Sequence, residues 1–363
     1  MVYSKGMDRY SLARLLLALS ALSMWAADTP IRTLQLEKFG YQRLPCKVDW
    51  RGEDMWPKRQ IEFLDDEHLL LHYAAIEACQ APLFQGPVSL PGDTKHGLHS
   101  AVIDLTGHIL HTYDWQPNDD VVAGPDGHVL IVDRDAVRVT DLSFRNLKTI
   151  QSHHKPGTHG QLYPVQVTPS RHGFAIIERN RAVLYTGSAY QETARTTEYV
   201  AAVSDHGFIT VSGFDQGPPF LRVDEVRWPT PSDPSLTTFS DIGRGEILGL
   251  DRKFNLYRVD QRGHETLIVR LGSLAPGMWH TAFQLDVALP EAGRILLRSY
   301  GVRIALSDSF GFWSYLRTAV LDLPTGKLVF QRDCRFYDDV SLSPNGRLLA
   351  VREKDRLKLY SVP

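Results

Sequence analysis

An all-β repeat architecture is predicted by three observations. Residues 101 to 142 and 319 to 361 are two copies of one pattern. Short apolar and β-branched runs alternate with Gly-containing turn signals along most of the chain. Helical periodicity is nearly absent outside the N-terminal segment, with Ala74 to Ala81 as the one other short stretch that suits a helical turn. A fixed internal repeat marks a repeat fold, and a β-propeller of four-stranded antiparallel blades accounts for all three observations.

The first copy reads AVIDLTGHIL, DDVVAGPDGHVLIV and DAVRVTDL; the second reads AVLDLPTGKLV, DDVSLSPNGRLLAV and DRLKLYSV. Asp104 matches Asp322, Asp120 matches Asp339, Pro125 matches Pro344, Gly127 matches Gly346 and Asp135 matches Asp355. In the first copy Ala101 to Leu105 runs to the turn Thr106-Gly107, and His108 to Tyr113 pairs back as a hairpin. Asp120 to Ala123 opens the next sheet. Pro125-Asp126-Gly127 is a tight turn, because Pro presets φ and Gly accepts positive φ. His128 to Val132 and Ala136 to Thr140 follow as two further strands.

Pro125 and Pro344 lie roughly 220 residues apart, which five units of about 44 residues fill. The intermediate turns are Arg171-His172-Gly173, Asp205-His206-Gly207, Arg244-Gly245-Glu246 and Ala292-Gly293-Arg294, each leading into an apolar run. Asp65-Asp66-Glu67-His68 before LLL adds one more, so seven blades is the best count; the uneven spacing of the turns also admits six or eight. The last copy supplies three strands before the chain reaches Pro363, one short of a blade. Ile31 to Phe39, with Leu34 and Leu36 at period two, suits the missing outer strand, and pairing it there closes the ring and removes open sheet edges.

The DxxGxxL-type strand pairs and the PDG and PNG turns resemble the WD40 and YVTN class of β-propellers, a superfamily that also holds the quinoprotein-type propellers. No Trp-Asp dipeptide occurs, and the Gly-His pairs beginning at 107, 127 and 263 sit at hairpin turns without that downstream partner. The resemblance implies a divergent, bacterial-type propeller that serves as a platform for binding.

The chain has 363 residues, 43% of them hydrophobic and 23% charged, with a formal net charge of −2. Such a composition builds a sizeable core in one large all-β domain. No run of Lys or Arg is long enough to track a phosphate backbone, which argues against nucleic acid as a partner. At the N-terminus Lys5, Arg9 and Arg14 precede LLLALSALSMWA (15 to 26), a basic region followed by an apolar one too short for a membrane span. Residues 1–27 are therefore expected to be a signal peptide, and residues 28–363 a single propeller domain, secreted or periplasmic, monomeric and without a stable membrane anchor. Cys46, Cys79 and Cys334 allow one bridge, with Cys46 to Cys79 the better placed pair, or three buried thiols.

Candidate chemistry is sparse. His153, His154 and His159 crowd the segment SHHKPGTHG as weak zinc or copper candidates, but no carboxylate or Cys is near in sequence, so a solvated loop is preferred and no metal is expected. Neighbouring residues on a strand point to opposite faces, so Asp119-Asp120 and Asp338-Asp339 are not acid–base dyads; their recurrence suits a hydrogen-bonding role in the blades. Phe310, Phe312 and Trp313 lie in SDSFGFWSY, the longest insertion of the sixth blade, and are the candidate binding loop. No nucleophile elbow, phosphate loop, HExxH or dinucleotide fingerprint is present, and no cofactor is expected. The leading expectation is an exported propeller that binds a protein or small ligand, without a catalytic signature. The alternative is a propeller enzyme or a sugar-, lactone- or quinone-binding protein with its site at a mouth of the central channel. Three or more convergent carboxylates or histidines on the rim would favour that alternative.

Overall fold

The computed structural model describes residues 29–39, 60–74, 98–116, 119–133, 135–151, 166–167, 172–178, 181–212, 220–223, 226–228, 238–243, 245–251, 253–271, 279–305, 311–335, 338–353 and 355–363. Strand β1 (Arg32–Gln35) stands first in the chain. The first sheet follows with β2 (Ile61–Phe63), β3 (His68–Ala74), β4 (Leu98–Asp104) and β5 (Ile109–Asp114). The second holds β6 (Asp120–Ala123), β7 (Val129–Val132), β8 (Ala136–Thr140) and β9 (Asn146–Gln151). The third holds β10 (Gln166–Val167), β11 (Gly173–Glu178), β12 (Arg181–Thr186) and β13 (Gln191–Thr196). The fourth holds β14 (Tyr199–Val203), β15 (Phe208–Ser212), β16 (Phe220–Val223) and β17 (Val226–Trp228). The fifth holds β18 (Thr238–Asp241), β19 (Glu246–Leu250), β20 (Asn255–Asp260) and β21 (Glu265–Arg270). The sixth holds β22 (Trp279–Leu289), β23 (Arg294–Ala305), β24 (Gly311–Asp322) and β25 (Leu328–Arg335). In the last sheet β26 (Asp339–Leu342), β27 (Leu348–Glu353) and β28 (Arg356–Ser361) are joined by β1, in the order β26-β27-β28-β1.

Neighbouring strands are antiparallel throughout these sheets, as in the register Arg32↔Leu359 to Gln35↔Arg356. First strands of different sheets touch: β2 meets both β26 and β6, and β18 meets both β14 and β22. The molecule is therefore an all-β propeller of four-stranded antiparallel blades, with the first strand of each blade innermost.

The core is a series of apolar layers between blades. Leu64, Leu70 and Val102 of the first blade pack against Val121, Ala123, Val129 and Ile131 of the second. Leu69, Leu71 and Ile103 of the first pack on its other side against Ala350, Leu357, Leu359 and Leu36. Strands buried on both faces read as continuous apolar runs, as in VLIV of β7, all four of whose residues are buried. Each fully buried Leu or Ile stabilises the fold by about 1.5–3 kcal/mol.

The turns between first and second strands are tight for a local reason. Asp126 and Gly127 have φ of 53° and 77°, and Gly346 has φ of 69°. A Cβ on Gly346 would also lie 2.5 Å from Cγ of Arg294. Because each blade is a meander, connections alternate between two ends of the molecule. At one end, where first strands turn into second and third into fourth, every connection between described strands spans five residues or fewer. The long connections, such as 75–97, 152–165, 229–237 and 272–278, all leave from the other end.

Candidate functional site

The tight turns of several blades converge at the short-turn end on a cavity of about 220 Å³. Asp65 and Asp66 come from the β2–β3 turn, Asp126 and Gly127 from β6–β7, and His172 from the approach to β11. Leu289, Pro290 and Glu291 come from the β22–β23 turn and Pro344 from β26–β27. Since the strands they end are innermost, the cavity is a mouth of the central channel. Four carboxylates and one imidazole meet there, more than the three ionisable groups that would favour a ligand site. No cluster with metal-ligand geometry occurs among the described residues.

His172 organises this mouth. Its Nδ1 lies 3.2 Å from Oδ1 of Asp126, and its Nε2 lies 3.4 Å from Oε1 of Glu291. The imidazole thus bridges the third blade to its neighbour and to the sixth blade. The hydrogen bond to Asp126 raises the imidazole above its ordinary value, and Glu291 adds to the effect. Asp65 is turned inward on its own turn, where its Oδ1 accepts the backbone N–H groups of Glu67 and His68 at 2.8 and 2.7 Å. Asp66 accepts the backbone N–H of Asn345 at 2.9 Å, tying the first blade to the last.

The aromatic candidates lie at the opposite end. Phe312 and Trp313 are in strand β24 and not in a loop: Phe312 pairs with Ile304 and Trp313 with Arg303. The Ser, Asp and Gly of SDSFGFW suggested a loop, but the aromatic and β-branched residues that follow are strong strand formers. The β23–β24 ladder continues beyond the last pairs with β22 and β25 through Arg303↔Trp313, Ile304↔Phe312 and Ala305↔Gly311. At about 3.3 Å per residue these three pairs carry the hairpin roughly 10 Å past the flanking strands. It projects from the end that carries the long connections. Phe310, His153, His154, His159, Cys46, Cys79 and the signal segment 1–27 lie outside the described residues. Cys334 is a buried free thiol, which burial pushes up to about 12.

The paired aspartates serve the blades. Asp339 Oδ2 accepts the backbone N–H groups of Gln60 and Ile61, and Ser341 Oγ accepts that of Phe63 at 2.9 Å. Side chains of the last blade thus satisfy the free edge of β2. Glu62 repeats the device one blade on, its Oε2 accepting the N–H of Ala123 at 2.9 Å. Asp119 is buried and held by Arg138 at 3.1 Å and by the hydroxyl of Tyr113, whose titration burial pushes up to about 12.

A polar line crosses the first blade. The indole N–H of Trp115 donates to Ser100 Oγ at 2.6 Å, and that oxygen lies 2.8 Å from Nδ1 of His72. Nε2 of His72 is 4.0 Å from Oε2 of Glu62. A serine, a histidine and a carboxylate in this order have the composition of a nucleophilic triad, but Ser100 is 0% and His72 2% exposed. Closed to a substrate in this way, the line ties β2, β3 and β4 to the end of β5.

These features define the class of the protein, a β-propeller with four-stranded antiparallel blades. No protein-family model matches the chain, and no curated protein matches its sequence. Among solved structures it is similar to BamB from Moraxella catarrhalis, with 10% identity over 92% of this chain and 99% of that chain and a TM-score of 0.38.

Proposed function

We propose that the chain is an exported, monomeric, seven-bladed propeller of the WD40 and YVTN-like kind. Residues 1–27 are its signal peptide, and it engages a protein partner through the end that bears the long connections. The observation that carries this reading is the three-pair extension of the β23–β24 hairpin, which places Phe312 and Trp313 beyond the strands that flank it. Aromatic residues on a projecting strand pair supply large contact area at low entropic cost, the usual make-up of an interaction hot spot.

The test is affinity capture from the native source after in-cell cross-linking, with wild type and the double variant Phe312→Ala, Trp313→Ala in parallel. Loss of two hot-spot residues worth about 2 kcal/mol each lowers recovery of a true partner by well over 10-fold. The melting temperature should stay unchanged. Equal recovery of the same proteins by both forms overturns the reading.

A ligand site at the short-turn mouth is the second reading. Convergence of Asp65, Asp66, Asp126, Glu291 and His172 on one cavity favours it. Thermal-shift titration with sugars, lactones and quinones is its test; a rise in melting temperature that Glu291→Gln abolishes supports it, and no rise with any of them overturns it.

A further inference from the structure

We propose that His172 is a pH-operated latch across the short-turn mouth: as an imidazolium it ties the third blade to Asp126 of the second and to Glu291 of the sixth. Its deprotonation releases Glu291 and loosens the mouth.

The argument rests on donor counting. A neutral imidazole has one N–H donor and one acceptor, whereas the cation has two donors. Ionised carboxylates only accept. Both ring nitrogens of His172 face carboxylate oxygens, at 3.2 and 3.4 Å, so only the protonated ring satisfies both contacts. A neutral ring would keep one bond and set a lone pair against the other carboxylate.

The two contacts are unequal. Asp126 is the nearer partner and sits on a turn fixed by the bond from the His128 N–H to the Pro125 carbonyl. Glu291 is the longer side chain and 73% exposed. It is therefore the ion pair with Glu291 that is lost with the proton. Other charges at the mouth act in the same sense: Asp65 and Asp66 line the same cavity and favour the cation. Arg294 and Arg347 line a second cavity together with Glu291. Arg294 is occupied by Asp322 at 2.8 Å and by the carbonyl of Pro363 at 2.6 Å, which leaves Glu291 available to His172.

The direction in pH follows from the raised imidazole. The latch is fully formed below the ordinary histidine value of about 6.5 and is lost as pH rises through the higher value of the folded protein. The mouth is thus fastened in mild acid and released as pH rises through that higher value.

The latch is tested on the intact protein by NMR titration of the His172 ring in wild type and Glu291→Gln. Amide hydrogen exchange of residues 289–293 is followed over the same pH range and corrected for intrinsic rates. The expected result is a His172 midpoint above about 6.5 that falls in Glu291→Gln. Loss of this exposed ion-pair contact should also bring a loss of protection of up to about 5-fold at residues 289–293 across the wild-type midpoint. In His172→Gln protection should not change with pH. A midpoint at or below the ordinary value, a midpoint unmoved by Glu291→Gln, or flat exchange in the wild type overturns the latch.

Discussion

Asp339 and Ser341 act on backbone they do not belong to. Their oxygens take up N–H groups of residues 60, 61 and 63, which a sheet edge would otherwise leave unpaired. Truncation strands buried donors, so Asp339→Ala should cost about 1–3 kcal/mol in urea denaturation. Asp120, its counterpart in the other copy of the repeat, should tolerate the same change with a much smaller loss. A second group of aspartates works inside its own turns. Hydrogen bonds hold four carboxyls below the usual range: the hydroxyl of Thr106 for Asp104, that of Ser143 for Asp141, the N–H of His264 for Asp260 and the hydroxyl of Thr325 for Asp322. A depressed carboxyl contributes stability that is complete above its unfolded value, about 3.9, and is lost as pH falls through the lower folded value. Melting temperature should therefore fall in acid below about pH 4, and Asp104→Asn with Asp141→Asn should flatten that fall while lowering the neutral value slightly. These groups are partly exposed to solvent, which keeps the effect small.

Among the elements, β1 has the largest consequence for its length. It completes the last sheet against β28, and Leu36, directly after it, is fully buried with Leu357, Leu359 and Ala350. Deleting residues 31–39 should cost at least about 3 kcal/mol, from the buried leucine alone plus the ladder; an unchanged melting temperature would refute this. Sequence made the turns legible because their requirements are local: Pro125, Gly127, Pro344 and Gly346 each set backbone angles within one turn. The polar line was not legible, since Glu62, His72 and Ser100 come from different strands and Trp115 from just after β5, and they meet only through register. Ser100→Ala should unpair both the indole and Nδ1 of His72, costing about 1–3 kcal/mol by the same measurement. The hairpin extension was hidden for a related reason. SDSFG carries loop-forming residues, and only the pairing of 311–316 with Tyr300–Ala305 shows that a strand resumes within it. His172 read simply as a turn residue, because Asp126 lies 46 positions away and no short-range pattern links it to Glu291.

At the scale of the whole molecule the two ends differ in kind. One is made of tight turns tied to one another by groups such as Asp66 and Asn345; the other carries long connections. A Gly/Ser insertion doubling the 229–237 connection should cost only about 0.6 kcal/mol in loop entropy. The same insertion in the turn after β26 breaks the Ser343, Asn345 and Leu348 hydrogen bonds and displaces Gly346 from beside Arg294. Its melting temperature should fall sharply, and equal tolerance at both places would show that the ends are not distinct.

The seam between β1 and β28 also sets how the protein yields to tension. Because the strands are antiparallel and Arg32 lies opposite Leu359, handles attached at residues 31 and 363 pull on the same end of the pair. Load then falls on one ladder bond at a time, as in a zipper, and is never shared along the strand as in shear. Single-molecule stretching from those points should open the seam at low force before any blade extends. Handles on residues 39 and 363 would pull the same strands along their length and meet far greater resistance.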